Sequence, residues 1–269
     1  MRKIISLFLC TALSIAVITA NAGAEGGVSK KKTRPYLYGN VVMATTSAAA
    51  GVQSVNFDHW NHRQNFSCRL CHVDLAFSMN VGDTQVTAAD NERGSFCGSC
   101  HNGTYVFAGK PLFAACRSKQ KPLTEPCTFC HTAAASRQKE EKFIAFSAGL
   151  PKERLGNGID WEKAELQGKA KLIDTLEKVP VKRKAMATRE DFDLTAKTEG
   201  MPEILFSHKK HTLWGGCESC HPDIFIGVKK GTNSYSMVDL FAGRYCGACH
   251  GKVAFPTNDC QRCHTKPVM

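Results

Sequence analysis

Residues 206–221 read FSHKKHTLWGGCESCH. The last five, Cys217, Glu218, Ser219, Cys220 and His221, form a C-x-x-C followed at once by histidine, and His208 and His211 stand upstream of it, three residues apart. A single C-x-x-C suits a structural zinc site or a redox dithiol. The motif with its histidine, however, occurs six times, at Cys68/Cys71/His72, Cys97/Cys100/His101, Cys127/Cys130/His131, Cys217/Cys220/His221, Cys246/Cys249/His250 and Cys260/Cys263/His264. It uses twelve of the 14 cysteines and six of the 10 histidines. Zinc ribbons and dithiols place no demand on the residue after the second cysteine. Thioether attachment of haem c does, because the two thiols add to the vinyl groups and the adjacent histidine ligates the iron. The sequence therefore predicts six covalently bound haem c groups.

Such attachment takes place outside the cytoplasm, and the N-terminus agrees. Arg2 and Lys3 precede an apolar run from Ile4 to about Thr19, and Ala20-Asn21-Ala22 offers a small-residue cleavage site before Gly23. Phe8 and Leu9 are too bulky for a lipobox, which leaves Cys10 inside the apolar core of the leader. No later run is long enough to span a membrane. A formal charge of +11 would suggest nucleic acid or an anionic membrane. Without the leader the chain carries about +9, and the propionates and irons of six haems would bring it to about +3 oxidised and about −3 reduced. The basic chain offsets its own cofactors, and no nucleic-acid partner is expected.

Residues 57–101 align with 206–250 without a gap, at an offset of 149. Phe57/Phe206, His59/His208, His62/His211, Asp74/Asp223, Gly82/Gly231, Asp90/Asp239, Gly94/Gly243 and Gly98/Gly247 coincide, together with two motifs in each copy. The four histidines outside the motifs all belong to this repeat. A motif histidine occupies one axial face of an iron and leaves the other open, and a neutral imidazole is a good ligand for it. Two histidines three apart share one side of a helical turn and can serve two neighbouring haems. His59, His62, His208 and His211 are thus expected as distal ligands.

An H-x-x-H followed by three C-x-x-C-H motifs, over 55–131 and again over 204–266, resembles the triheme cytochrome c7 family, a relative of the tetrahaem cytochromes c3. The resemblance implies a mainly α fold with much coil: two c7/c3-like modules wrapped around closely packed haems and joined by a partly helical linker. It also implies axial pairs of His59 with His72, His62 with His101, His208 with His221, and His211 with His250. In the family a third distal histidine lies four residues before the middle motif, where this chain has Arg93 and Ala242. Some c7-type domains use methionine there, which makes Met237 the candidate for the haem at His264, with Met201 or a mere packing role as alternatives. Met79 is the weaker candidate at His131.

The expected organisation is a signal peptide at 1–22, an N-terminal arm at 23–54, module 1 at 55–135, a helical and charged linker at 136–203, and module 2 at 204–269. In the linker, Asp160 should cap a helix containing Trp161, Ala164 and Leu166. Gly168 should interrupt that helix, and Leu172, Ile173 and Leu176 should supply a second apolar helical face. Module 1 places 25 residues between His101 and Cys127 against nine between His250 and Cys260. The longer segment holds the unpaired Cys116, readable as a free thiol, an intermolecular bridge or a ligand. With roughly 41 mature residues per haem, the cofactors must provide much of the buried apolar surface. Mostly six-coordinate irons favour an exported electron carrier working with other redox proteins such as cytochromes, and no catalytic residues are expected. A reductase with an open third haem, or a self-assembling haem filament, are the alternatives.

Overall fold

A computed structural model describes residues 33–116, 124–177, 187–196, 199–227 and 229–266. The leader with Cys10, the Lys30-Lys31-Lys32 run and the Pro180 to Lys184 stretch lie outside the described residues.

Short elements and coil predominate. β1 (Asn40–Met43) pairs antiparallel with β2 (Val55–Asp58), in the register Asn40↔Asp58 to Met43↔Val55, and α1 (Thr45–Ala49) lies in the connection between them. β2 runs directly into α2 (His59–Arg63). α3 (Ala88–Glu92) and a small hairpin of β3 (Val106–Phe107) with β4 (Lys110–Pro111) follow. The region assigned to the linker contains α4 (Arg137–Ser147) and α5 (Trp161–Leu166). The opening arrangement then recurs: β5 (Phe192–Leu194) pairs antiparallel with β6 (Ile204–Phe206), which leads through Ser207 into α6 (His208–Gly215), and α7 (Met237–Phe241) matches α3. Among the described residues no helix is long and apolar enough to cross a membrane.

The repeat is legible in its caps. Thr87 and Asp90 form a reciprocal capping box on α3, and Ser236 and Asp239, each 149 positions later, form the same box on α7. The repeated glycine of the middle motif also has a packing cause. A Cβ on Gly98 would stand 2.0 Å from the Asn91 carbonyl oxygen, and one on Gly247 would stand 2.0 Å from that of Leu240. Only a residue without a side chain lets the motif turn lie against the preceding helix.

The apolar core draws most of its residues from the stretch that the sequence offered only as a linker. Tyr36 from the arm and Trp60 from α2 pack with Phe143, Leu150, Ile159, Trp161, Ala164 and Ala170, flanked by Leu37, Phe146 and Trp214. Trp60 meets Phe143 edge-on with ring centroids 5.2 Å apart. α4 falls in the stretch expected to be helical, though its place was not named; Ser136 caps it by accepting from the Lys139 amide at 3.2 Å. α5 was anticipated, with Asp160 accepting from the Lys163 amide at 3.0 Å. The helix expected from Leu172, Ile173 and Leu176 is not formed. Gly168 and Leu172 take left-handed conformations (φ 66° and 47°), and the chain runs extended beside residues 64–67. There Lys171 N donates to Gln64 O, Ile173 N to Asn65 O and Ser67 N to Ile173 O. Those backbone bonds to the approach of the first motif replace the helical ones.

Candidate functional site

Each motif is wound into a helical turn, tight in all but the first. In five of the six, the histidine amide donates to the carbonyl of the first cysteine: His101 to Cys97 at 2.8 Å, His131 to Cys127 at 2.9 Å, His221 to Cys217 at 3.0 Å, His250 to Cys246 at 3.0 Å and His264 to Cys260 at 2.9 Å. The first motif is wound wider, in a π-type turn over Leu70–Asp74. None of the described cysteines forms a disulfide, and all but the exposed Cys260 are half-buried. Burial pushes the thiols up, to about 12 for Cys71, Cys97 and Cys249 and about 11 for Cys263, so they are un-ionised.

Strand and helix together aim the paired histidines. Phe57, next to last in β2, has its ring 4.8 Å from His59 and 4.6 Å from His62; Phe206 ends β6 with its ring 5.0 Å from His208 and 4.5 Å from His211. The two imidazoles of each pair are thus held apart on one aromatic support. His59 then faces His72 with centroids 6.3 Å apart and planes within 10°. His62 faces His101 at 6.3 Å and His211 faces His250 at 6.2 Å, with interplanar angles of 67° and 64°. Two imidazoles sharing one metal, each through a bond of about 2 Å, would have centroids about 6.3 Å apart. Among the described residues no such approach joins His208 to His221. His208 lies against Phe192 at 5.2 Å, and His221 against Phe225 at 6.3 Å.

Nδ1 is engaged on eight of the ten rings, each time by a backbone carbonyl. The acceptors are Gly39 for His59, Asp58 for His62, Phe77 for His72, Gln53 for His131, Glu190 for His208, Ser207 for His211, Phe225 for His221 and Pro202 for His264. A ring donating from Nδ1 keeps its lone pair on Nε2, the arrangement typical of metal-bound histidine. The exceptions are the equivalent His101 and His250, whose buried Nδ1 atoms have no partner; Phe113 and Phe255 pack on them at 4.4 and 4.2 Å. Burial drives the rings toward the neutral form. It lowers His59, His101 and His250 to about 4, and it also lowers His62, His72 and His211.

The third motif of each repeat docks on the strand before the paired histidines. Val55 bridges His131, and Ile204 bridges His264, at equivalent positions. No histidine faces either ring among the described residues. Met79 is half-buried after the first motif, Met237 opens α7 at 42% exposure, and Met201 immediately precedes the Pro202 that anchors His264. Cys116 receives the Asn91 side-chain amide at 3.4 Å and lies close to Cys97 and Cys130. The residues fit haem c. Paired thiols stand beside an oriented imidazole, opposing imidazoles lie at a two-ligand spacing, and among the described residues no three His, Cys, Asp or Glu side chains converge on a bare ion.

A side chain that sequence reasoning passed over joins the repeats. Arg69, between the cysteines of the first motif, bonds Glu218, which holds the same place in the fourth, at 2.5 Å. The 149-residue offset between them is the repeat itself, a signal available in the alignment.

The family model described as cytochrome c7 and related cytochrome c matches residues 55–132 and 204–265. Among solved structures, a c7-type three-heme cytochrome domain is 36% identical, covering 30% of this chain and 99% of that one, with a TM-score of 0.26. The C-terminal hexaheme fragment of GSU1996 is 24% identical, covering 84% and 97%, with a TM-score of 0.26. The dodecaheme cytochrome c GSU1996 is 22% identical, covering 87% of this chain and 75% of that one, with a TM-score of 0.27. The comparison with curated proteins returned no match.

Proposed function

This chain belongs to the cytochrome c7 and related cytochrome c family, a multihaem electron-transfer cytochrome by kind, and from that premise we propose that it is an exported hexahaem electron carrier. When bound, haem c supplies a one-electron couple at each iron. The twelve motif cysteines hold the six groups, and His72, His101, His131, His221, His250 and His264 are the proximal ligands. His59, His62, His208 and His211 are the distal ligands. The observation that carries this reading is the set of three imidazole pairs facing at 6.2–6.3 Å. Haem iron held between such a pair would have no position for substrate and would supply electron transfer, so the partners would be other redox proteins.

Met237 is the distal ligand proposed at His264, and Met79 the one proposed at His131. The lack of a facing imidazole at these two rings also favours a second reading, a reductase that works at an open third haem. Substituting Met237 with leucine separates the two. As a carrier, the variant should gain one reduced iron that binds carbon monoxide; if parent and variant bind it equally, Met237 is a packing residue and the open-site reading gains.

Intact mass tests the cofactor count. Six haems on a chain starting near Gly23 are expected, and zinc or fewer than five haems would overturn the reading. His211→Ala should leave the haem at Cys246 and Cys249 attached and turn one ferric iron from low to high spin, as read by electron paramagnetic resonance. A fully low-spin spectrum without a replacement ligand would remove His211 from the ligand set.

A further inference from the structure

His101 and His250 are the histidines of the middle motif in each repeat, and among the described residues theirs are the only histidine Nδ1 atoms buried without a hydrogen-bond partner. The motif histidines on either side are anchored. His72 gives Nδ1 to the Phe77 carbonyl at 2.9 Å and His131 to that of Gln53 at 2.6 Å, while His221 bonds Phe225 and His264 bonds Pro202, each at 2.6 Å. What the middle ring meets instead is a phenylalanine. Phe113 lies against His101 with centroids 4.4 Å apart, and Phe255 against His250 at 4.2 Å. The offset that relates the repeats would put Phe113 at Arg262, so this contact is not copied with the motif. Each repeat builds it through its own loop. In the first, Asn102 bridges Ala114 and the Ala115 amide donates to the His101 carbonyl at 2.7 Å; in the second, Ala254 bridges His250 and gives its amide to the Cys249 carbonyl at 3.0 Å.

A buried donor without an acceptor costs free energy, and such groups are few in folded proteins. On an imidazole that ligates iron it has a second effect. Donating from Nδ1 makes the ring a more basic ligand, which favours ferric iron with its greater charge. A ring denied that bond favours the ferrous state, and apolar cover acts in the same sense by disfavouring the more highly charged member of the couple. The distal rings lean the same way, with His59 bonded to Gly39 at 2.6 Å and His62 to Asp58 only at 3.4 Å. We propose that Phe113 is a positioning residue that withholds an acceptor from His101, and so sets the reduction potential of the haem at Cys97/Cys100 above that of the haem at Cys68/Cys71. Phe255 plays the same part against His250. The inference rests on the haem attachment and histidine ligation proposed above. His250 has two further neighbours: the Phe255 carbonyl, which accepts from the Gly251 amide at 3.2 Å, and the Arg63 guanidinium, whose Nη1 donates to the Val253 carbonyl at 2.7 Å. The first repeat is therefore the cleaner place to measure.

The test uses the full holoprotein, with intact mass and ferric spin state taken first, so that lost attachment or lost ligation is told apart from a failure of this inference. In haem-resolved redox titrations by nuclear magnetic resonance, the parent should show a higher midpoint at Cys97/Cys100 than at Cys68/Cys71. Phe113→Ala, which opens the ring to water as an acceptor, should lower the midpoint at Cys97/Cys100 and move the His101 Nδ1–H resonance downfield. Phe113→Leu, which keeps an apolar cover, should hold both. A parent with the order reversed, six attached haems with that midpoint unmoved in Phe113→Ala, or equal lowering in the two variants would overturn the proposal. Should neither variant fold, the parent decides alone. In reduced protein labelled with 15N-histidine, the assigned His101 Nδ1–H should lie upfield of that of His72, and a resonance equally far downfield would overturn the proposal.

Discussion

An imidazole can ligate iron only while one nitrogen keeps its lone pair, and here the backbone decides which. Eight rings give Nδ1 to a carbonyl, leaving Nε2 free. Burial adds the second condition by disfavouring the charged ring. With His59 lowered from 6.5 to about 4, an unfolded chain takes up a proton below pH 6.5 that the folded one refuses until pH about 4. Acid therefore erodes stability across that window and no further below it. Ligation would hold the proton off longer still. The low-spin spectrum of the holoprotein should be flat from about pH 7 to about pH 5, with high-spin iron growing only at or below about pH 4. Growth near pH 6 in an absorbance titration would mean that the paired histidines are solvated and not ligands. The paired histidines were legible from their recurrence. Their carbonyl partners were not, because Gly39 and Glu190 reach His59 and His208 through strand pairing across 20 and 18 residues.

At the scale of the element, a short strand feeding a short helix is the unit that repeats. β2 with α2 and β6 with α6 each set an aromatic residue between two histidines, and the third motif closes on the same strand. The helices are too short to hold by propensity alone. Capping boxes and packing against the motif turns sustain them. Gly98 is the tightest of those contacts, so Gly98→Ala should cost roughly 1–3 kcal/mol of holoprotein stability through overpacking against Asn91. Gly247→Ala should cost a similar amount against Leu240. Gly149→Ala, where an added Cβ meets nothing within 4 Å, should stay within about 0.5 kcal/mol. Thermal melts of the three variants, followed by circular dichroism, check the order. The two glycines were visible in the sequence as coincident residues, but their reason lies in the approach of a helix carbonyl that no local pattern encodes.

On the scale of the whole molecule, two kinds of interior share the work. A modest aromatic core, formed by the arm, α2, α4 and α5, knits the first repeat to the region before the second, while the motif turns would line the ground of the proposed haems. Polar ties complete the joint. Arg262 meets Glu153 at 2.5 Å and Asp160 at 3.6 Å, fastening the last motif to the linker, and Arg69 meets Glu218 across the repeats. Because Arg69 and Glu218 occupy one repeat position, identical modules would set like charges face to face there. Arg69→Glu should weaken the joint by about 1 kcal/mol, and the swapped double variant, Arg69→Glu with Glu218→Arg, should recover most of it, as read in a double-mutant cycle on holoprotein melts. A swap no better than the single variant would make the pair incidental. Removing the haems should cost far more: with so few fully buried apolar side chains among the described residues, haem-free chain made by replacing the motif cysteines should show no cooperative melt by calorimetry.

Six motifs, their histidines and the 149-residue repeat were legible in the sequence by itself, because covalent attachment and axial ligation of haem c would demand fixed residues at fixed spacings. The sequence also marked α5 through Asp160. Only the tertiary structure decided that residues between the repeats pack with Tyr36 and Trp60 in one apolar core, that residues 171–174 run extended beside 64–67, and that Arg63 and Arg69 bridge the repeats. The physical reason is that these outcomes depend on which backbone groups and which charges meet across long separations. A chain with few buried apolar side chains among the described residues settles such meetings by packing and hydrogen-bond satisfaction over the whole molecule, and no short window of residues contains them.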